Sequence, residues 1–353
     1  MGNVTAGPPT RCARPTLGRR GTSTYTVLGF SGYGVASVVG GTLSAAWGLT
    51  LAERLIATVI PPLAFLIVVS ANRRILRKER IVFYQTAVAG VAAVALLGMA
   101  MGARTERLID IATIGIGTFL VFGRIGCFSV ACCHGRPARY GVVYGPAHVR
   151  VGFWTRWAGR PLWPVQLVEA GVSLALVIGG LVVGWNEPGT PTLIYALGYG
   201  LVRFLLELRR GDPTRPHALG ISEAQWTSAA TLIACAIWRP SAITIASASL
   251  LVAAIALLAS QHKQRELTQA HHLFEIDRAC SEVLASKSND RRETSLGVCI
   301  SCHRLPDGRR DWVLSGSHPA WSVVVARRIA SNLWVTFDFV EGRIAGVAHV
   351  VEG

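Results

Sequence analysis

Apolar residues are gathered into eight runs separated by short polar breaks: 25–50, 54–71, 82–101, 109–133, 165–184, 191–208, 221–238 and 241–260. Each run reaches, or nearly reaches, the roughly 20 residues that a helix needs to cross a bilayer at about 1.5 Å per residue. Several are short or rich in glycine, and Pro61-Pro62 is expected to kink or break the second. Seven or eight transmembrane helices are therefore expected. The first run has no break at signal-peptide length, so it reads as an uncleaved anchor. From Gln261 onward the pattern changes. Residues 262–287 alternate as an amphipathic helix, and 288–293 form a charged linker. Strand-like stretches follow at 297–305 and 311–315, flanking a turn at Pro306-Asp307-Gly308. A hairpin is expected from 334–340 and 344–351 around Glu341-Gly342. The expected fold class is an all-α polytopic membrane protein with a small C-terminal α+β soluble domain. Its parts are a flexible N-terminal tail (1–24), a transmembrane domain (25–260) and the soluble domain (261–353).

Composition agrees with that pattern. The chain has 353 residues, of which 51% are hydrophobic and only 16% charged, and its mean hydropathy is +0.42. Soluble domains carry about a quarter charged residues. A disordered chain, a collagen and a small disulfide scaffold are excluded, and an ordinary cytosolic enzyme is disfavoured. The net charge of +15 comes almost wholly from arginine, the lysines being Lys78, Lys263 and Lys287. Arginines at the ends of apolar runs serve topology and lipid headgroups, so nucleic acid is not an expected partner. With eight spans and an inner N-terminus, the inner segments hold Arg11, Arg14, Arg19, Arg20, Arg73, Arg74, Arg77, Lys78, Arg80 and Arg215 among others. The positive-inside rule favours that orientation.

Three polar elements interrupt the apolar background. The fourth run carries Arg124, which costs about 2.5–3.5 kcal/mol near the middle of a bilayer. It either faces an internal polar cavity and holds an anion or snorkels to the interface. In the sixth run Tyr199, Arg203, Glu207 and Arg210 are spaced four, four and three apart and so share one sector of a helix. An ion pair at that depth is a weak stabilising device, which makes a polar cavity the better reading of this face. Gln166 and Glu169 share a face at the start of the fifth run, where polar residues are also common as caps.

The other signals weigh less. Cys299-Ile300-Ser301-Cys302-His303 spells a haem-attachment pattern, but it lies in an apparent strand and has no downstream methionine ligand. A structural or adventitious thiol pair is the expected reading. Cys127, Cys132, Cys133 and His134 have the chemistry of zinc ligands, yet the membrane signature around Arg124 in which they sit already explains them. No metal and no cofactor is expected. His271-His272 reads as a solvated helix pair, and Cys235 as a small core residue.

Together the three elements resemble the prolipoprotein diacylglyceryl transferases. The resemblance rests on Gly123-Arg124-Ile125-Gly126-Cys127-Phe128 with Cys132-Cys133-His134-Gly135, on Tyr199-Gly200 with Arg203-Phe204-Leu205-Leu206-Glu207 and Arg210-Gly211-Asp212, and on Pro164-Val165-Gln166-Leu167 with Glu169. Tyr33-Gly34 and Ile221-Ser222 with Gln225 extend it from about residue 33 to 228. It implies seven helices around a lipid cavity and transfer of diacylglycerol from phosphatidylglycerol to the thiol of a lipobox cysteine, with glycerol phosphate leaving. The implied partners are phosphatidylglycerol or a related phospholipid and a prolipoprotein lipobox segment. The implied location is the bacterial plasma (inner) membrane, multi-pass, with an orientation opposite to the arginine count.

The resemblance also implies roles: Arg203, Glu207 and Tyr84 in catalysis, and Arg124, Tyr33, Cys127, Gly135, Gln166, Glu169, Tyr199 and Arg210 in substrate binding. Three departures accompany it. The family's third-helix histidine is replaced in Phe83-Tyr84-Gln85-Thr86, the histidine of its His-Pro motif is Trp163, and its signature asparagine and following acidic residue are Cys127 and Cys132. The alternative function is a non-catalytic lipid-binding or regulatory membrane protein whose tail docks a partner.

Overall fold

A computed structural model describes residues 15–17, 22–76, 83–212, 216–286 and 290–353. Most of the expected N-terminal tail and part of the 288–293 linker lie outside the described residues. So do Arg11, Arg14, Arg19, Arg20, Arg77, Lys78, Arg80 and Arg215.

Among the described residues, each of the eight apolar runs is a helix. These are α1 (Thr24–Ala46), α2 (Leu51–Leu76), α3 (Phe83–Ala100), α4 (Thr105–Ser129), α5 (Val165–Gly184), α6 (Thr190–Glu207), α7 (Glu223–Trp238) and α8 (Ala242–Ser260). Five of them, α1, α2, α4, α5 and α8, are long and apolar enough to cross a membrane, and α3 is a shorter apolar helix. Pro61 and Pro62 do not break α2, which continues through both. Gly90 of α3 packs against Pro61 at that point, and such neighbour contacts are what let apolar helices tolerate proline.

Beside a buried apolar core, the helices also turn many large apolar residues outward. Phe30, Val182, Ile237 and Ile243 are each more than 70% exposed, whereas Glu169, Ser173, Asp110 and Ser228 are buried. α4 is the central element. Ile111 and Phe122 line up beside Gly40 and Gly32 of α1, and Gly117 packs on Val177 of α5 and Tyr195 of α6. Asp110 shows how the interior is satisfied. Its carboxylate accepts from the backbone N–H groups of Gly189 (2.8 Å) and Thr192 (3.1 Å) and from the Thr192 hydroxyl (2.8 Å). It thereby fills the orphan donors at the start of α6.

α4 stops at Ser129, short of the expected 133, because Ala131 (φ 57°) and Cys133 (φ 55°) are left-handed. Residues 130–162 then form an aromatic knot around Tyr144, Phe153 and Trp157.

The expected amphipathic helix over 262–287 is interrupted. A short helical segment at His262–Glu266 is followed by α9 (Ala270–Ala285), and extended Gln269 lies between them. Five antiparallel strands follow: β1 (Arg292–Glu293), β2 (Val298–Arg304), β3 (Arg310–Gly316), β4 (Phe337–Glu341) and β5 (Val347–Glu352), in the order β4-β5-β3-β2-β1. A helix that the sequence reading did not include, α10 (Val323–Leu333), packs with α9 on this sheet. The domain core is Leu273, Ile276, Ile300, Trp312, Leu314 and Ile329.

A buried ion ladder and the cap above it

Side chains from α4, α5 and α6 converge on one carboxylate. Glu169 is 1% exposed. It accepts from the Tyr199 hydroxyl at 2.7 Å and from Arg203 Nη1 at 3.3 Å, and it lies 3.0 Å from Arg124 Nε. The ladder continues along α6. Arg203 pairs with Glu207 one turn on, Glu207 lies 3.7 Å from Arg210 Nη1, and Arg210 makes a two-pronged bond to Asp212 at 2.9 and 3.2 Å. Three guanidiniums thus face three carboxylates. Burial is affordable for such a set only because each charge has a partner of opposite sign. Arg124 is buried inside this network, not extended to an interface.

The other expected residues are placed as follows. Tyr199 stacks on Tyr195 (5.6 Å, 13°) and touches Tyr84 (5.7 Å). The Tyr84 hydroxyl bonds Ser228 Oγ on α7 at 3.0 Å. Gln166 donates from Nε2 to the Cys132 carbonyl (2.8 Å) and lies 3.3 Å from the Tyr144 hydroxyl. Gly135 sits against the backbone of Trp163, where a side chain has no room. Tyr33 is not brought to the ladder. It is 49% exposed on α1, and Tyr25, eight residues earlier, is the residue packed on Gly126. Cys127 closes the last turn of α4 beside Cys132 and Cys133, the three Sγ atoms lying within 4.8 Å of one another. Hydrogen bonds from the Cys127 and Cys132 thiols, helped by the Arg210 and Arg124 charges, hold the Cys133 thiol well below its ordinary pKa against the opposing effect of burial. Burial lowers the pKa of His134, which lies edge-on to Phe153 and Trp157.

Two features carried no sequence signal. A cavity of about 150 Å³ opens beside the ladder, lined by Glu207, Arg210, Asp212, Arg136 and, from beyond α8, Arg265 and Gln269. The C-terminal domain also seats on the aromatic knot. Trp154 stacks on Phe274 (3.7 Å, 29°), and Trp154 Nε1 and Arg156 Nε donate to Asp277 at 2.8 and 2.6 Å. Trp157 Nε1 and Arg160 Nη1 donate to the Asn332 carbonyl at 2.9 and 2.7 Å, a favourable placement for a cation at the carbonyl end of α10.

Residues 74–239 match the model of the prolipoprotein diacylglyceryl transferase family. That stretch holds the whole ladder and leaves out Tyr33 and the C-terminal domain. The chain is 30% identical over 159 residues to a phosphatidylglycerol–prolipoprotein diacylglyceryl transferase 2 of Clostridium perfringens, covering 43% of this chain and 58% of the relative. It is 27% identical over 139 residues to a phosphatidylglycerol–prolipoprotein diacylglyceryl transferase of Clostridium tetani, covering 36% and 50%. The chain therefore spans between half and three-fifths of the length of these curated relatives.

In the C-terminal domain, the two cysteines of the haem-like pattern lie on opposite faces of β2. Cys302 packs toward the core with Val298 and Ile300, whereas Cys299 meets Arg291 on the other side. An odd spacing along a strand dictates this, and it sets the two thiols apart as ligands for one group.

Proposed function

We propose that the chain is a multi-pass membrane enzyme that moves diacylglycerol from phosphatidylglycerol, or a phospholipid like it, to a cysteine thiol of a prolipoprotein. The observation that carries this reading is the ladder Arg124–Glu169–Arg203–Glu207–Arg210, built from three helices inside the segment that matches the family. The outward apolar side chains of the helices support placement in a membrane, and a bacterial plasma membrane suits the substrates.

The chemistry follows from charge. Carboxylates balance the guanidiniums in the resting ladder, so an incoming phosphate diester competes with Glu169 for Arg124 and Arg203. Glu207 and Arg210 hold Arg203 in place, and Tyr199 keeps Glu169 aimed. Positioning the phosphate-bearing carbon against an acceptor thiol is the main service such a site offers. The 150 Å³ cavity, with Arg136 and Arg265 on its wall, gives a phosphate-bearing product a route out.

The test is rescue of lipoprotein lipidation in a bacterium depleted of its own transferase. Rescue is expected, with at least a 100-fold loss of transfer in Arg124→Ala and Arg203→Ala. An expressed, inserted protein that fails to rescue overturns the reading. One observation favours a second reading, a lipid-binding protein without turnover: the Tyr84 hydroxyl is engaged with Ser228, away from a role as base. A pure binder retains phosphatidylglycerol but releases no glycerol phosphate.

A further inference from the structure

The cysteine cluster has a geometry that the ladder does not explain. α4 ends at Ser129, and the chain then folds back through two left-handed, non-glycine residues, Ala131 (φ 57°) and Cys133 (φ 55°). Such conformations cost on the order of 1 kcal/mol or more apiece and persist where the surroundings hold them. Here the Cys132 N–H donates to the Cys127 carbonyl at 3.1 Å, and Gln166 of α5 clamps the Cys132 carbonyl at 2.8 Å. The result is three thiols from a seven-residue stretch with all Sγ atoms within 4.8 Å. Tetrahedral zinc with Zn–S bonds of about 2.3 Å needs sulfurs roughly 3.8 Å apart, a modest rotamer adjustment from that spread. His134 is turned elsewhere, its Nδ1 lying 3.1 Å from the Gly135 carbonyl.

We propose that Cys127, Cys132 and Cys133 bind one thiophilic divalent cation, zinc in chemical class, and that the fourth coordination position takes the acceptor cysteine thiol. Three protein ligands and one open position are the pattern of catalytic zinc. Three thiolates and a dication leave one net negative charge, and the buried guanidinium of Arg124 sits three residues before Cys127 on the same helix. Cys132 and Cys133 are only partly buried, so the open position is reachable, while Cys127 is buried beneath them.

The second half of the proposal rests on the transferase reading. A coordinated thiol is deprotonated outright, so the acceptor cysteine loses its proton to water on binding the ion. Its sulfur then attacks the diacylglycerol carbon that bears the phosphate ester. A C–S bond forms, the C–O bond breaks, and the electron pair leaves with glycerol phosphate. No side-chain base is needed, which is consistent with Tyr84 being bound to Ser228.

The test uses the full chain in detergent, reduced and stripped by chelator, in a Cys299→Ser/Cys302→Ser background. Titration with Co²⁺ is expected to give one ion per chain and a thiolate-to-metal charge-transfer band. Cys132→Ser or Cys127→Ser is expected to abolish the band while the helical circular dichroism is unchanged. A cysteine-containing lipobox peptide should shift the Co²⁺ spectrum, and its serine version should not. Absence of the band, or a band indifferent to Cys132→Ser, overturns the metal site, and indifference to the cysteine peptide overturns the acceptor role.

Activity separates this proposal from the transferase reading. Transfer that survives stripping at full rate overturns the proposal and leaves the transferase reading standing. A peptide-responsive metal site with no transfer from phosphatidylglycerol vesicles supports the thiol site and overturns that reading. The expected result is a loss of at least 100-fold on stripping, restored by Zn²⁺.

Discussion

The helical region buries paired charges of a kind that the C-terminal domain leaves in solvent. In the domain, Leu273, Ile300, Trp312 and Ile329 are inside, and the arginines Arg278, Arg309 and Arg310 are out in solvent. In the helices, Arg124, Glu169 and Arg203 are inside, and Leu51 and Leu66 of α2 and Leu250 and Leu257 of α8 are outside. The same side-chain chemistry is distributed in reverse because the surrounding medium differs. In water the gain comes from hiding apolar area. In hydrocarbon apolar area gains nothing by hiding, and packing with internal polar satisfaction takes its place.

The contrast is open to direct challenge. The largest effect is expected at the ladder's hub. Glu169→Ala leaves two buried guanidiniums short of a carboxylate, and breaking such a pair costs about 3–5 kcal/mol; a detergent melt that barely moves would show that water reaches this interior. Next comes the domain core. Ile329→Ala should destabilise the domain by about 2–5 kcal/mol while the helical melt stays put, and a shared drop would mean that the regions unfold as one. A smaller loss is expected at the seam. Asp277→Ala removes the acceptor shared by Trp154 and Arg156, costing about 1.5–3 kcal/mol for bonds to a charged group, to be read as faster proteolysis between α8 and α9.

The smallest expected effect is a dependence on pH. His272 is buried, its Nδ1 placed to donate to the Leu267 carbonyl and its Nε2 to accept from Thr294, each at 2.9 Å. Burial holds its pKa below the ordinary 6.5. The unfolded chain therefore binds the proton first, and domain stability is full above about pH 6.5. It falls as pH drops through the folded value. His272→Asn should flatten that part of the profile in a denaturant series.

Much of this architecture is legible in the chain. The eight apolar runs are eight helices because length and hydropathy alone decide that outcome. The steps of four and four at Tyr199, Arg203 and Glu207 place three residues on one sector of α6, as found, whereas Arg210, expected on the same sector, lies past the end of the helix in a bridge to Gly135. Glu169 is different. Its partners come from helices 30 to 45 positions away in sequence, so nothing local distinguishes a hub from a cap. Tyr33 shows the converse, since a motif match carries no information about which side of α1 faces α4. α10 escapes a pattern reading because Val323-Val324-Val325 suggests a strand, and only the Ser322 cap and packing on α9 turn it into a helix. The break at Gln269 likewise depends on the Gly220 carbonyl, which lies across the structure.

One consequence follows from the eighth helix. α8 ends beside the start of α7, with His262 against Gly220, so the sheet domain lies on the same side as the ladder's open end. A reporter inserted at the exposed Glu341–Gly346 turn would therefore reveal the compartment onto which the ladder opens. The dispute between arginine count and family orientation then becomes one question of geography, answered by where that turn is found.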